Sequence, residues 1–502
     1  MSFFKKSFFS SKKTFGLFLL FLLVSAGVRC YRPLGLTIFL DDQARDVLVA
    51  AQVVKEGKVP FIGPMASIGS LYLGPLFYWM ITPFLLLANF NPVGPILLMA
   101  FLGWLTNVWL FFLMVKYFNL RSAFISAWLY ALSPLVVHNT RFIWNPNPVP
   151  LFTLIFLWFL LSFLEKGRFW SLFWVGTALG VLIQLHYVTG VLFVIVLVSY
   201  FFWLINNHKQ GIAKLFKAGV VLLSGIVFPL VPFILFEVKN YFINTRAGWR
   251  FVFEESASAP RLMPLPKTLI DLLGRFSAEA LVVDWALIYF LINFLAFSGL
   301  FFLIRKERKL KKITPLVLSI FLLTLLTVVV VIKGQIHLHY LGLLLPVFFI
   351  IIGAADYFLQ KIRIFKKFSL SLVSLLAFLL ILFTMIKSNY QLFFRQQDNQ
   401  QVNRARDVAG YIAQRAENKD IFVTSLSGSP YAYTYRYYLY LAGFKTDSLR
   451  PSSVFAICED GGCDDPEGHP LWEIAQFGVL KTVSSVHVSH GVWVYELKKV
   501  QN

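Results

Sequence analysis

Long apolar runs recur along most of the chain. Between Phe15 and Ile386 they have a length of roughly 17 to 22 residues, which is enough to cross about 30 Å of hydrocarbon as helices. Of the 502 residues, 58% are hydrophobic and only 14% are charged, whereas a soluble domain carries about a quarter charged residues. A single water-soluble core is therefore excluded, and we predict a polytopic α-helical membrane protein.

The net charge of +21 would also be compatible with nucleic-acid binding, so its distribution matters. From Ser388 onward there are 11 Lys and Arg against 12 Asp and Glu, which places the excess in the apolar part of the chain. Much of it lies in short connecting loops, as the positive-inside rule predicts. We therefore attribute the positive charge to membrane topology. We predict membrane lipids as partners and no binding of nucleic acid.

Topology follows from the basic clusters, which we predict to be cytoplasmic. They lie at 116–121, 166–168, 209–217, 305–312 and 361–367. The connections between them then face outward, at 32–95, 138–148, 186–187, 237–283, 333–340 and everything after 388. This arrangement predicts about eleven spans in the plasma membrane, with a cytoplasmic N-terminus and an extracytoplasmic C-terminus.

Two apolar segments could be read differently. The first, Phe15 to Leu34, follows four lysines as a signal peptide would, but Asp41 comes soon after it and no clean cleavage site follows. The second, Tyr72 to Leu87, contains two prolines, and if it crossed the membrane it would turn the later basic clusters outward. We therefore predict that the first is a retained span and the second an interfacial or re-entrant helix.

The composition changes after residue 387. Residues 1–387 are predicted to form the membrane domain, with a large first outer loop at 32–95, and residues 388–502 a small extracytoplasmic α/β domain. Helices are predicted at 402–416 and 431–441 and strands at 421–426 and 492–497. Cys458 and Cys463 could form a disulfide on the outer face, whereas a zinc site lacks two further nearby ligands.

Asp41, Asp42, Arg45 and Asp46 follow the first span directly. Charges so close to hydrocarbon are costly and are often functional. A carboxylate there could accept a proton from an attacking hydroxyl, and Arg45 could hold a phosphate through its fork of donors. The alternative is a solvated loop start with a local ion pair.

Other polar side chains are predicted at the same membrane face. Arg141, beside Trp144 and Asn145, could bind phosphate oxygens, although Arg and Trp also serve as interfacial anchors. A cationic histidine or a tyrosine hydroxyl could also grip a phosphate, although histidines among membrane helices are more often packed and hydrogen-bonded. His337 and His339 would point to different faces of a helix, which argues against a shared metal. The candidates of this kind are His186, Tyr187, His337, His339 and Tyr340.

Three stretches together resemble family 39 glycosyltransferases of the GT-C type, which include protein O-mannosyltransferases and a lipid A aminoarabinose transferase. The stretches are Asp42 to Arg45, Gly63-Pro64 with Tyr72-Leu73-Gly74-Pro75-Leu76, and Arg141 to Pro146. The resemblance extends from Asp41 to about Gly353. It implies a GT-C-like membrane domain, an acidic active-site residue in the first outer loop and a polyprenyl-phosphate sugar donor.

The family pattern assigns Asp42 as the base and Arg45 as a phosphate ligand. The chain departs from this pattern at Gln43, where relatives usually have Glu, so Asp41 remains an alternative carboxylate. Leu73-Gly74-Pro75 replaces a Glu-Lys-Pro of the lipid A enzymes, and Asn145 or Asn147 stands where relatives often have Asp. Because amides are poor ligands for hard cations, we expect that no divalent metal is required, and a bound divalent metal is the alternative.

The predicted function is inverting transfer of a sugar from a polyprenyl-phosphate donor to a lipid, glycan or protein acceptor. A polysaccharide polymerase or ligase and a lipid-linked-sugar flippase are the alternatives. A flippase would favour repeated halves and midplane charges, neither of which is clear here. A non-catalytic relative is a further alternative, because Gln43 and Asn145 depart from the family pattern.

Overall fold

A computed structural model describes most of the chain. The described residues are 11–66, 71–207, 211–256, 260–283, 298–299, 307, 310–365, 368–459, 463–488 and 491–500. The protein is mainly helical, with one four-stranded sheet near the C-terminus. The fold predicted from the apolar runs, a polytopic helical membrane protein with a small C-terminal α/β part, is confirmed.

Fifteen α-helices lie within the described part of 11–390. The first eight are α1 Lys12–Cys30, α2 Asp41–Glu56, α3 Leu76–Leu87, α4 Val93–Tyr117, α5 Leu120–Leu132, α6 Pro134–Asn139, α7 Val149–Lys166 and α8 Phe169–Leu185. The remaining seven are α9 Val191–Asn207, α10 Ile212–Lys239, α11 Ile243–Arg250, α12 Leu265–Leu281, α13 Leu310–Val331, α14 Leu344–Leu359 and α15 Leu370–Tyr390. A short antiparallel pair, β1 Arg363–Phe365 and β2 Phe368–Ser369, connects α14 and α15.

Seven described helical segments are long and apolar enough to cross a membrane. Four shorter apolar helices accompany them, namely α3, α5, α8 and α14. Of the span that the basic clusters predict between Val283 and Arg305, only residues 298 and 299 lie within the described part. The helix α3 is only 12 residues long and contains Pro83, a length that suits the predicted interfacial or re-entrant position better than a full crossing.

Between α2 and α3, residues 63–66 pair with residues 71–74 and form the Gly63 hairpin. Gly63 donates its N–H to the carbonyl of Leu73 at 2.7 Å, and Leu73 donates to Pro64 at 2.9 Å. A Cβ atom on Gly63 would lie 2.1 Å from the carbonyl oxygen of Gly74, so only glycine permits this approach. The Gly63-Pro64 and Tyr72-to-Leu76 stretches therefore form one structural unit.

The C-terminal part is a mixed sheet packed against helices. Its helices are α16 Gln401–Arg415, α17 Tyr433–Leu441 and α18 Trp472–Ala475, and its strands are β3 Phe422–Ser425, β4 Val454–Glu459, β5 Leu480–Val488 and β6 Val492–Lys499. The sheet order is β3-β4-β6-β5, with only the β3–β4 pair parallel among these strands. The two predicted helices and two predicted strands are confirmed, and β4 and β5 were not predicted. A disulfide joins Cys458 to Cys463.

This C-terminal part packs directly on the first outer loop. The side chain of Asn399 donates to the carbonyl of Thr37 at 2.6 Å, and Gln401 accepts from the N–H of Phe39 at 2.7 Å. Farther along, the hydroxyl of Tyr440 donates to Glu56 at 2.6 Å. The helix α2 is thus held at both ends by residues that follow the last membrane span.

Replacing Gly63 with Ala should destabilise the protein by about 1–3 kcal/mol, because the new methyl group would force the hairpin apart. Thermal unfolding of purified protein in detergent measures the effect. Gly410 in α16 is the matched control, since a Cβ atom there meets nothing within 4 Å and Gly410→Ala should be neutral or stabilising. Equal unfolding temperatures for Gly63→Ala and wild type would contradict the close approach.

Candidate functional site

A cavity that we name the central cavity lies between the first outer loop and the ends of several membrane helices. It has a volume of about 420 Å³ and receives residues from α2, the Gly63 hairpin, α10, α11 and α13. Seven of the residues predicted from the sequence line it: Asp42, Arg45, Asn145, His186, Tyr187, His339 and Tyr340. Residues that are distant in the sequence therefore meet around one space.

The first turn of α2 is fixed by a local cap. The side chain of Gln43 accepts a hydrogen bond from the backbone N–H of Leu40 at 3.1 Å, and this side chain is buried. Such a bond satisfies one of the donors left free at a helix start. The residue that departs from the family pattern thus orients the helix instead of facing the cavity.

Arg45 connects two carboxylates in different surroundings. Its guanidinium donates to Asp42 at 2.8 Å and to Asp46 at 2.9 and 3.0 Å. The side chain of Asp42 is 56% exposed, whereas that of Asp46 is fully buried. Asp42 can therefore meet a ligand in the cavity, and Asp46 holds the arginine from behind.

Burial dominates the electrostatics behind Arg45. It raises the pKa of Asp46 to about 7, even though the Arg45 charge and its hydrogen bonds oppose the rise. Burial also acts to lower the pKa of Arg45, but the nearby carboxylates outweigh it and raise that pKa above its ordinary value. Arg45 is thus a permanent cation at the cavity wall, whereas Asp46 can exchange a proton near neutral pH.

Two other predicted residues point elsewhere. Asp41 accepts hydrogen bonds from the backbone N–H and the hydroxyl of Thr434 in α17, at 3.2 and 3.3 Å. Arg141 donates to the carbonyl of Val28 at 2.6 Å, and also to that of Tyr31, while its guanidinium lies over the ring of Phe393. Neither side chain lines the cavity, and both join separate parts of the chain.

Imidazole and aromatic rings form a second part of the cavity wall. The ring of His339 lies 4.5 Å from that of Trp144, 4.3 Å from that of Tyr340 and 6.0 Å from that of His186, between centroids. Burial lowers the pKa of His186 to about 4, and burial followed by its histidine neighbours lowers that of His339 to about 3. Both imidazoles are neutral at pH 7, so they would contact a ligand as hydrogen-bonding groups and not as cations.

His337 stands beside this wall without lining the cavity, with its ring 5.6 Å from that of His339. Asn145 does line it, but its amide donates to the carbonyl of Leu185 at 2.8 Å. Among the residues that the structure describes, no group of three or more His, Cys, Asp or Glu side chains could hold a metal ion. The wall is therefore a polar and aromatic surface.

A third wall depends on Asn244, which sequence reasoning placed only in a long outer loop. Its side chain accepts from the N–H of Tyr72 at 2.6 Å and donates to the carbonyl of Tyr72 at 2.7 Å and to the hydroxyl of Tyr187 at 2.8 Å. Buried Glu237 accepts from the N–H groups of Asn244 and Thr245 at 3.1 and 2.7 Å. Tyr72 therefore contributes its backbone, and not its hydroxyl, to this hydrogen-bond network. The signal in the sequence that could have predicted the network is Glu237, an acidic residue near the end of the apolar helix α10.

Comparison with known proteins gives independent findings. The family of dolichyl-phosphate-mannose-protein mannosyltransferases matches residues 73–236. Among curated proteins, no significant match was found.

Solved structures match over almost the whole chain. ArnT from Cupriavidus metallidurans bound to undecaprenyl phosphate has a TM-score of 0.58 at 13% identity, covering 96% of this chain and 98% of that one. The apo state of the same ArnT has a TM-score of 0.59 at 14% identity, covering 97% of this chain and 98% of that one. The Archaeoglobus fulgidus oligosaccharyltransferase, in complex with Zn and sulfate, gives 0.53 at 13% identity, covering 87% of this chain and 67% of that one.

The fold and the family match define the class: the protein has the multi-pass membrane fold of the GT-C glycosyltransferases, and residues 73–236 match the mannosyltransferase family. Within that class it is similar to family 39, as the motifs in the first two outer loops predicted. The predicted class is confirmed. The roles of the individual site residues remain predictions.

Asp46 should make stability depend on pH. Because its folded pKa of about 7 lies above the ordinary 3.8, the folded protein binds the extra proton between these values, and stability falls as pH rises through that window. A difference of this size corresponds to about 4 kcal/mol at most. Unfolding temperatures of wild type and Asp46→Asn from pH 5 to 8 should differ in slope, the variant being flatter. Asp42→Asn, which removes the other partner of Arg45, should retain the slope, and a wild-type slope in Asp46→Asn would refute the assignment.

Proposed function

We propose that the protein transfers a sugar from a polyprenyl-phosphate donor to an acceptor hydroxyl, with inversion at the anomeric carbon. The observation that carries this proposal is the pairing of Asp42 with Arg45 at the cavity wall. Among the described lining residues, Asp42 is the only carboxylate and Arg45 the only permanent cation. The family match and the ArnT structure, whose ligand is undecaprenyl phosphate, support this donor class.

Asp42 acts as the general base in this mechanism. It removes the proton of the acceptor hydroxyl, whose oxygen then attacks the anomeric carbon from the side opposite the phosphate. The bond between that carbon and the phosphate oxygen breaks, and its electron pair leaves with the polyprenyl phosphate. Asp41 is the less suitable base because it is bonded to Thr434 and lies away from the cavity.

Arg45 stabilises the charge that grows on the departing phosphate. Asp46 fixes its guanidinium through two hydrogen bonds, so little reorganisation is needed during the reaction. His186, His339, Tyr187 and Tyr340 contribute donors or acceptors around the sugar and the phosphate. Leaving-group stabilisation by these groups would make a divalent metal unnecessary. The same pair of a base and a cation would serve a polymerase or ligase, whereas a flippase would not need the base.

Asp42→Asn should lower the transfer rate by about 10²–10⁴, the usual contribution of a positioned general base. Transfer of radiolabelled sugar from a polyprenyl-phosphate donor, in proteoliposomes that contain native membrane lipid as acceptor, measures it. Asp41→Asn is the matched control and should lose much less, because the amide retains an oxygen that accepts from Thr434. Full activity of Asp42→Asn would exclude the proposed base, and lipid movement without sugar transfer would favour a flippase.

We further propose that the reaction occurs on the extracytoplasmic face of the plasma membrane, with the N-terminus inside and residues after 388 outside. The positive-inside rule supports this orientation. The disulfide between Cys458 and Cys463 also supports it, since such bonds persist in oxidising compartments. The acidic start of α2 would then lie at the depth of the outer lipid phosphates.

Orientation is testable with single cysteines in a Cys30→Ser background, because Cys30 is the one free cysteine. An impermeant maleimide applied to intact cells should label Ser485→Cys in β5. It should label Lys166→Cys, at the predicted cytoplasmic end of α7, only after permeabilisation. Both positions are exposed, so access through the membrane decides the result. The reverse pattern would rule out the proposed orientation.

A further inference from the structure

A second, smaller cavity lies on the predicted outer side and has no part in the mechanism above. Its volume is about 140 Å³. Three basic side chains from separate segments line it: Arg261 before α12, Arg275 within α12 and Lys333 after α13. None of the described lining residues is acidic, although Asp271 pairs with Arg275 at 2.8 Å. Three basic side chains from separate segments therefore meet at one cavity wall, and the carboxyl groups of Asp271 and Glu279 interact with Arg275.

Backbone contacts hold two of these cations in place. Arg261 donates to the carbonyls of Val329 and Val330 at 2.7 and 3.1 Å, at the C-terminal end of α13. Arg275 donates to the carbonyl of Ile336 at 3.4 Å, in addition to its bond with Asp271. The guanidinium groups are thus positioned by the fold and lose little side-chain freedom when an anion binds.

The basic cavity adjoins the central one. Ile332 lines both cavities, and the segment from Ile332 to Ile336 separates them before the chain continues to His339 and Tyr340. Both cavities lie at the C-terminal end of α13, which is the end of a candidate membrane span.

We propose that the basic cavity binds the phosphate of an anionic lipid headgroup. Phosphate fits because its oxygens match guanidinium and ammonium donors, and a lipid is the source because the cavity lies at the end of membrane helices. The assignment to the outer leaflet rests on the proposed orientation, but the binding itself does not depend on catalysis. The bound lipid would stand beside the reactive cavity without occupying it.

Native mass spectrometry of the full-length protein, titrated with phosphatidylglycerol or phosphatidylcholine, tests the proposal. Phosphatidylglycerol should bind more tightly, and Lys333→Gln and Arg275→Gln should each weaken it about fivefold, the effect of one basic residue near lipid phosphates. Lys267→Gln is the matched control, because Lys267 is exposed on the same helix as Arg275 and does not line the cavity. Size-exclusion profiles of all variants verify folding.

A parallel titration with inorganic phosphate distinguishes the two sources of the group. Competition of phosphate with bound phosphatidylglycerol in the wild type would support recognition of the phosphate itself. Phosphate binding without any preference for phosphatidylglycerol would overturn the lipid assignment. If wild type, Lys333→Gln and Arg275→Gln bound the lipid with equal affinity, the assignment of lipid binding to the basic cavity would be overturned. Because this measurement requires no sugar transfer, it can succeed or fail independently of Asp42→Asn.

Discussion

Hydrocarbon cannot hydrogen-bond to the polypeptide, and this constraint decides where the protein can place polar chemistry. Within a helix the backbone N–H and C=O groups are hydrogen-bonded to one another, except at the two ends. Irregular polar backbone is therefore found where helices end. The helix α8 ends at Leu185, directly before His186 and Tyr187, and α13 ends at Val331. The central cavity forms where these ends meet the first outer loop. Most of its polar residues come from helix ends and loops, and residues within α10 and α13 supply much of its apolar wall.

The low polarity of this wall also determines how the charged side chains of the site must be paired. Arg45 is tolerable beside hydrocarbon because it contacts two carboxylates, one open to the cavity and one buried. With a pKa near 7, the buried carboxyl of Asp46 can lose its proton and pair with Arg45 when the cavity is empty. When an anionic ligand arrives, the carboxyl can take up a proton and leave the charge of Arg45 to the ligand. Asp46 therefore suits a site that can bind an anionic group and release it again.

The sequence predicted the membrane class and most lining residues, because both depend on local composition. Apolar length, basic loops and polar residues at segment ends are properties of short stretches. The choice between Asp41 and Asp42 could not be predicted, since Thr434, almost four hundred residues away, determines which carboxylate faces the cavity. Arg141 was predicted to lie at the site because its hydrogen bonds to the end of α1 are non-local and cannot be read from the sequence. The strand β4 is short and almost wholly apolar, and in β5 the apolar residues do not alternate strictly with the polar ones, so neither gave a distinct period.

The C-terminal part belongs to the architecture of the site. It holds Asp41 through Thr434 and the far end of α2 through Tyr440, so a shift of α17 would move the helix that carries Asp42 and Arg45. The ArnT fold covers 96% of this chain, so the shared architecture includes this C-terminal part as well as the membrane helices. A helix that lies outside the membrane has no hydrocarbon to orient it. Contacts from the far end of the chain supply that orientation, which explains why Asp42 and Arg45 can stand in the first outer loop and still keep a fixed geometry.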